Sequence, residues 1–175
     1  MQNFDRDPLE LRVPRFRRVQ DWFMVRRRGA VHEVFAWANA ERIVDVLHAL
    51  AAQLDPAVDV CVESRRSGGV WQGELLPLPD VREALGRLQT PLATYGGVEF
   101  TVYTPDDQLT LTTSLALVIY ARSDRWVYLL EGMGFEERHD APTPAWDADA
   151  APLGSAPELE LALEFAVERL GLAPV

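Results

Sequence analysis

The chain contains no lysine, a single cysteine and only three histidines. Without lysine, Schiff-base chemistry and the phosphate-binding lysine of a P-loop are excluded. The single cysteine, Cys61, excludes an internal disulfide framework and predicts a reducing, cytoplasmic environment. The histidines, at positions 32, 48 and 139, lack the spacing of a metal site. We therefore expect no metal and no cofactor.

Long apolar runs and common catalytic motifs are also missing. No stretch of about 18 apolar residues occurs, and MQNFDRDPLE lacks both regions of a signal peptide, so we expect no membrane association. There is no G-x-S-x-G elbow. The glycine pairs at 67–70 and 131–134 are more typical of turns than of phosphate-binding loops. We therefore predict no catalytic residue, and the sequence favours a protein that is not an enzyme.

Acidic residues dominate the charge, which is −10 over 175 residues. This balance disfavours nucleic-acid binding, because the average field repels phosphates. Residues 12–28 are the exception, with seven arginines and one acid. The core of this stretch, RFRRVQDWFMVRRRG, carries the candidate binding residues Arg15, Arg17, Arg18, Arg26, Arg27 and Arg28.

Hydrophobic periodicity predicts the secondary structure. Residues 22–25 fit either a helix or a short strand. Strands are predicted at 31–37, 57–64, 70–76, 99–104, 109–121 and 126–132. Helices are predicted at 40–54, from PLPD (77–80) onward, and from 156 to Leu170 with Gly171 as its end. Asp80 with Glu83, and Ser155 with Glu158, have the spacing of capping boxes.

The order of these elements predicts an α+β fold with a mainly antiparallel sheet and helices packed on one face. Over 31–104 the order matches a ferredoxin-like (split βαβ) unit, which two further strands and a C-terminal helix extend. The alternative is another α+β sandwich, such as the fold of secretion chaperones. We predict a lead-in at 1–14 whose order is open, a domain at 15–138, an acidic linker rich in proline and alanine at 139–155, and a terminal helix at 156–171 that packs on the domain.

Surface features give the remaining candidate binding residues. Strand alternation predicts a second, mixed face of the sheet that becomes aromatic at Tyr103 and Tyr120. The terminal helix carries an acidic stripe at i, i+4 and i+8, formed by Glu160, Glu164 and Glu168. Trp146 stands alone in the acidic linker, where it either anchors the linker or inserts into another protein.

These features suggest three hypotheses. The leading one is a non-catalytic cytoplasmic binding or adaptor protein that acts through protein–protein contacts and forms a homodimer. The alternative is an anion-binding protein or enzyme that uses arginines of the segment 15–28, with Glu63 or Glu99 as acid–base groups. The third, which the net charge disfavours, is single-stranded nucleic-acid binding. For the arginine-rich segment itself, we expect docking onto acids such as Glu160, Glu164 and Glu168, of the same chain or of a dimer mate.

Overall fold

A computed structural model describes residues 20–140 and 153–175. Within these residues the chain forms nine strands and four helices. The strands are β1 (Trp22–Arg28), β2 (Val31–Trp37), β3 (Ala57–Ser64), β4 (Val70–Pro77), β5 (Val98–Tyr103), β6 (Asp107–Leu111), β7 (Leu117–Ala121), β8 (Glu136–Glu137) and β9 (Ala173–Pro174). The helices are α1 (Ala40–Ala51), α2 (Leu78–Tyr95), α3 (Arg125–Gly132) and α4 (Pro157–Leu170).

The nine strands form one sheet in the order β8-β1-β2-β7-β6-β5-β3-β4-β9. Every neighbouring pair is antiparallel except β1 with β8, which confirms the α+β class and the mainly antiparallel sheet. The ferredoxin-like arrangement is not confirmed, because β6 and β7 lie between β2 and β5. The connections from β5 to β6 and from β6 to β7 each add a neighbouring strand, until β7 pairs with β2.

The hydrophobic core contains alternate residues of the strands together with the apolar stripes of the helices. Alternate strand residues such as Val60, Val62 and Phe100 are almost completely buried, as the period of two in a strand requires. The stripe of α1 consists of Ile43, Val46, Leu47 and Leu50, and that of α4 consists of Leu159, Leu163, Ala166 and Leu170. All of these side chains belong to one cluster. No helix within the described ranges is long and apolar enough to cross a bilayer.

Residues 126–132, predicted as a strand, form α3 instead. Trp126 and Leu130 are one helical turn apart, and both are fully buried. The indole Nε1–H of Trp126 donates a hydrogen bond to Asp107 Oδ1 at 2.8 Å. Periodicity alone does not separate helix from strand in a run as short as WVYLLEG. The buried contact with a distant carboxylate favours the helix.

Residues 109–121, predicted as one strand, contain two strands and the turn between them. The Thr112 N–H donates to the Ala116 carbonyl at 2.8 Å, and the Ala116 N–H donates to Thr112 Oγ1 at 3.1 Å. Leu115 adopts a φ of 59°, which lies outside the strand region. Threonine is enriched in strands, so composition did not reveal this turn.

The two predicted capping boxes are wrong. Helix α2 follows Pro77 and α4 follows Ala156, and neither helix start has a side-chain cap. Asp80 and Glu83 instead accept hydrogen bonds from Arg169 of α4, at 3.2 and 3.5 Å. These acids therefore join two helices, where the sequence pattern predicted that they would cap one.

Candidate functional site

A groove lies between α4, the turn from β3 to β4, and the C-terminal strand β9, and it encloses about 580 Å³. Its floor is apolar and its rim carries three carboxylates. We call it the acidic groove and define it by the floor residues Trp71, Leu163, Val167 and Leu172 and the rim residues Glu160, Glu164 and Glu168. The volume lies within the range of about 300–1,000 Å³ that is usual for ligand sites.

The amphipathic sequence of α4 positions one wall of the acidic groove. Leu163 lies on the buried stripe of the helix, and Val167, one turn later, is half-buried beside it. The three rim glutamates follow one another at intervals of four residues, so they form a ridge about 12 Å long next to the apolar stripe. All three are exposed. The three glutamates of the acidic stripe therefore form a continuous charged edge of this groove.

The C-terminus supplies the opposite wall. Gly171 ends α4 in the left-handed conformation at a φ of 62°, as predicted, and turns the chain back toward the sheet. Leu172 is then buried, and β9 pairs with β4. A Cβ atom on Gly73 would lie 2.6 Å from Leu172 Cδ2, so a larger residue here would force the Leu172 side chain to shift.

Trp71 forms the floor on the side of the sheet. It pairs with Val62 across β3 and β4, and therefore lies on the same face of the sheet as that core residue. Its indole ring lies over Gly69, where a Cβ atom would come within 2.3 Å of the ring. The glycines of the stretch SGGVWQG thus leave room both for the indole and for Leu172.

The three carboxylates make the rim anionic, and they repel one another. Neither Glu164 nor Glu168 forms an ion pair within the described part of the chain. Like charges at i and i+4 destabilise a helix slightly. A bound cation that relieved this repulsion would therefore be favoured at the rim.

Arg66 is the basic residue associated with the rim, and its guanidinium is occupied by backbone carbonyls. It donates to Tyr95 O at 2.7 Å, to Gly96 O at 3.3 Å and to Gly154 O. Burial lowers the pKa of Arg66, whereas the nearby Glu160 and Tyr95 act to raise it. Arg66 therefore fastens the segment before α4 to the rest of the fold, and three of its donor groups are already used.

The arginine-rich segment lies at the other end of the sheet. Its described part is β1, in which Phe23 is fully buried and Arg26, Arg27 and Arg28 are exposed. Arg28 pairs with Glu33 at 3.3 Å, and the Arg26 guanidinium lies 5.5 Å from the centre of the Phe35 ring. The three arginines therefore do not reach the acids of α4 in the same chain, contrary to that form of the prediction. Arg15, Arg17, Arg18 and Trp146 lie outside the described residues.

Tyr103 and Tyr120 are brought together by the register of three strands. Each pairs with Gln108 of the strand between them, and both line a small cavity of about 200 Å³ beside the turn from β5 to β6. Burial raises the pKa of Tyr103, and the neighbouring Asp59, Cys61 and Glu74 raise it further. This region is separate from the acidic groove.

Glu63 and Glu99, the predicted acid–base candidates, lie directly opposite each other on β3 and β5. Burial raises the pKa of Glu99, and the Glu63 carboxylate raises it further. Three strands separate β5 from β1, so the arginines of β1 are not brought to this pair. Among the described residues, no cluster of three histidine, cysteine or acidic side chains could hold a metal ion.

The sequence prediction missed the floor of the acidic groove. Trp71 lies in the predicted strand 70–76, and the sequence pattern predicts no element after Gly171. The one local signal is the pair of glycine positions around Trp71, which marks a close approach of another part of the chain. The sequence around Trp71 does not indicate which segment makes this approach, because the C-terminal residues reach it only through the tertiary fold.

Comparisons with protein-family models, with curated proteins and with solved structures found no match to this chain. The acidic groove is therefore interpreted from its own chemistry.

Proposed function

We propose that this protein is a non-catalytic binding protein that captures a basic, amphipathic polypeptide segment in the acidic groove. The observation that carries the proposal is the combination of an apolar floor with a ridge of three exposed carboxylates. An apolar floor alone would suit many ligands. The ridge restricts the choice to groups that carry positive charge beside apolar side chains.

The spacing of the ridge matches that of a polypeptide. Successive rim glutamates are separated by one helical turn, about 6 Å. Arginines at i and i+4 of a helix, or at i and i+2 of an extended segment, have nearly the same separation. Leu161, which is 67% exposed and lies beside the ridge on the outer side of α4, adds an apolar contact next to the charges.

Apolar burial and charge would contribute differently to binding. Filling the floor with one or two large side chains contributes about 1.5–3 kcal/mol for each of them. Exposed arginine–glutamate pairs contribute only about 0.2–1 kcal/mol each, and mainly select the partner and speed its approach. We therefore expect the apolar groups of the partner to set most of the affinity and its arginines to set specificity.

A labelled synthetic peptide tests the proposal by fluorescence anisotropy. The probe is a 14-residue amphipathic peptide with four arginines on one face and leucines on the other. Replacing Glu160, Glu164 and Glu168 together by glutamine should weaken its binding about tenfold, the sum of three exposed ion pairs. A peptide with glutamine at the arginine positions should bind the wild-type protein equally weakly.

The matched control changes the same number of charges far from the groove. Glu131, Glu136 and Glu137 are exposed residues in and after α3, near the opposite edge of the sheet. Their replacement by glutamine should leave the affinity for the peptide unchanged. Equal losses in both triple variants would mean that net charge, and not the acidic groove, attracts the peptide, and the proposal would be wrong.

A further inference from the structure

The distance between β1 and the acidic groove limits which residues of the arginine-rich segment can reach the groove of their own chain. One row of cross-strand neighbours runs from β1 to the groove floor: Phe23, Ala36, Leu117, Leu111, Phe100, Val62 and Trp71. The row contains six steps of about 4.8 Å, so its ends are about 29 Å apart along the sheet.

Arg17 and Arg18, the two arginines that most closely precede β1, are tethered too closely to that strand to cover this distance. Arg17 and Arg18 stand five and four residues before Trp22. Fully extended, those residues span at most about 18 and 14 Å. Both arginines therefore fall short of the acidic groove of their own chain, even with an extended side chain. A second copy of the chain is not subject to this limit.

The chemistry of residues 12–19 complements the acidic groove. Their sequence, RVPRFRRV, contains four arginines, no acid, and the apolar residues Val13, Phe16 and Val19. The groove provides three carboxylates beside an apolar floor. The chain as a whole is acidic, with a net charge of −10, so this basic, apolar segment is exceptional within it.

We infer that the acidic groove receives residues 12–19 of a second copy of this chain, an inference that rests on the proposed function of the groove. Each protomer carries one groove and one segment, so a two-fold pair satisfies both at once and closes the assembly at a dimer. The arginines contact the ridge of α4, and Phe16 occupies the floor beside Trp71. Arg26, Arg27 and Arg28 of β1 take no part in this contact.

The oligomeric state of the full chain tests the inference. We expect the wild-type protein to be a dimer by light scattering coupled to size-exclusion chromatography, with a dissociation constant that rises as salt increases from about 50 to 500 mM. Replacing Arg15, Arg17 and Arg18 together by glutamate should raise that constant at least tenfold. Replacing Glu160, Glu164 and Glu168 together by arginine should do the same.

A charge-swap variant distinguishes loss of the proposed contact from misfolding of the chain. A chain carrying both triple changes has its charges swapped across the proposed contact and should again dimerise. An R26Q/R27Q/R28Q variant alters three arginines of β1 that lie outside the contact, and it should dimerise like the wild type. A wild-type chain that stays monomeric at about 100 µM, or a dimer that neither triple change weakens, would overturn the inference.

A peptide of residues 12–19 distinguishes failure of this inference from failure of the proposed function. If the synthetic arginine–leucine peptide binds the groove but the 12–19 peptide does not, the groove binds basic segments and its partner is not this chain. If neither peptide binds even the R15E/R17E/R18E variant, whose groove the inference leaves empty, the proposed function and the inference both fail. Binding of the 12–19 peptide that the glutamine triple variant of the rim weakens about tenfold supports both.

Discussion

At the scale of single residues, the pair Glu63 and Glu99 is a place where the fold holds like charges together. The two carboxylates lie opposite each other on neighbouring strands, and burial together with Glu63 raises the pKa of Glu99. The folded state therefore holds a proton on Glu99 more tightly than the unfolded state does. Stability linked to this group is fully present at pH values below its unfolded pKa and is lost as pH rises through its folded pKa.

Replacing Glu99 by glutamine should therefore stabilise the protein at pH 7, by a few tenths to about 1 kcal/mol, because like charges on opposite strand positions are unfavourable. The gain should shrink as pH falls and vanish below about pH 4, where the wild-type carboxyl is protonated in both states. Urea denaturation at several pH values measures it. The same change at exposed Glu131 should have little effect, and a pH-independent difference for Glu99→Gln would contradict the assignment.

At the scale of elements, Asp107 joins α3 to β6. Its side chain is almost completely buried, and it accepts hydrogen bonds from Trp126 Nε1 at 2.8 Å and from Arg125 Nη2 at 2.7 Å. Arg125 is partly exposed, so water screens its share of the interaction. The indole N–H is buried and depends on this carboxylate, so the position of α3 depends on Asp107.

We expect Asp107→Ala to lower the free energy of unfolding by about 2–3 kcal/mol, because it leaves the buried indole N–H of Trp126 without an acceptor. Asp107→Asn keeps an acceptor and should cost less. The neighbouring Asp106 is a matched control, since it pairs with Arg122 at 3.8 Å and both side chains are about 70% exposed. Asp106→Asn should change stability by less than about 0.5 kcal/mol. Equal losses at the two positions would contradict this role.

A second contact between elements holds the C-terminal strand against β4. A methyl group on Gly73 would overlap Leu172, so Gly73→Ala should destabilise the protein by about 1–3 kcal/mol. It should also speed amide exchange in residues 172–175 as β9 detaches. Gly132 of α3 has open space around its Cβ position, so Gly132→Ala should be neutral or stabilise by up to about 1 kcal/mol. Unchanged exchange at the C-terminus of the Gly73→Ala variant would show that β9 does not depend on this contact.

At the scale of the whole molecule, the sequence predicted local elements better than their arrangement. Strands β2, β3 and β5 and helices α1 and α4 follow from side-chain periodicity, because each buries one face against a common core. By contrast, the helical conformation of α3 is favoured by the hydrogen bond from Trp126 to Asp107, a residue 19 positions earlier. The insertion of β6 and β7 between β2 and β5 leaves no local trace in the sequence.

The candidate site shows the same contrast between features that a local pattern predicts and features that depend on the tertiary fold. The ridge of Glu160, Glu164 and Glu168 was visible as an i, i+4, i+8 pattern, because a helix converts that spacing into a stripe. The floor could not be predicted, since Trp71 and Leu172 are about a hundred residues apart in the chain and meet through the pairing of β4 with β9. The exposed arginines of β1 lie toward one end of the sheet, and the rim glutamates of α4 lie toward the other.

The two edges of the sheet affect how readily the protein aggregates at high concentration. Open edge strands present unpaired backbone groups that template aggregation. In the described structure, β8 covers β1 at Trp22 and Phe23, and the uncovered remainder carries the charged side chains Arg26, Arg27 and Arg28. At the opposite edge, β9 contains Pro174, which has no backbone N–H to donate. Both edges thus resist strand addition, and the arginines of β1 act there as gatekeepers against fibril growth.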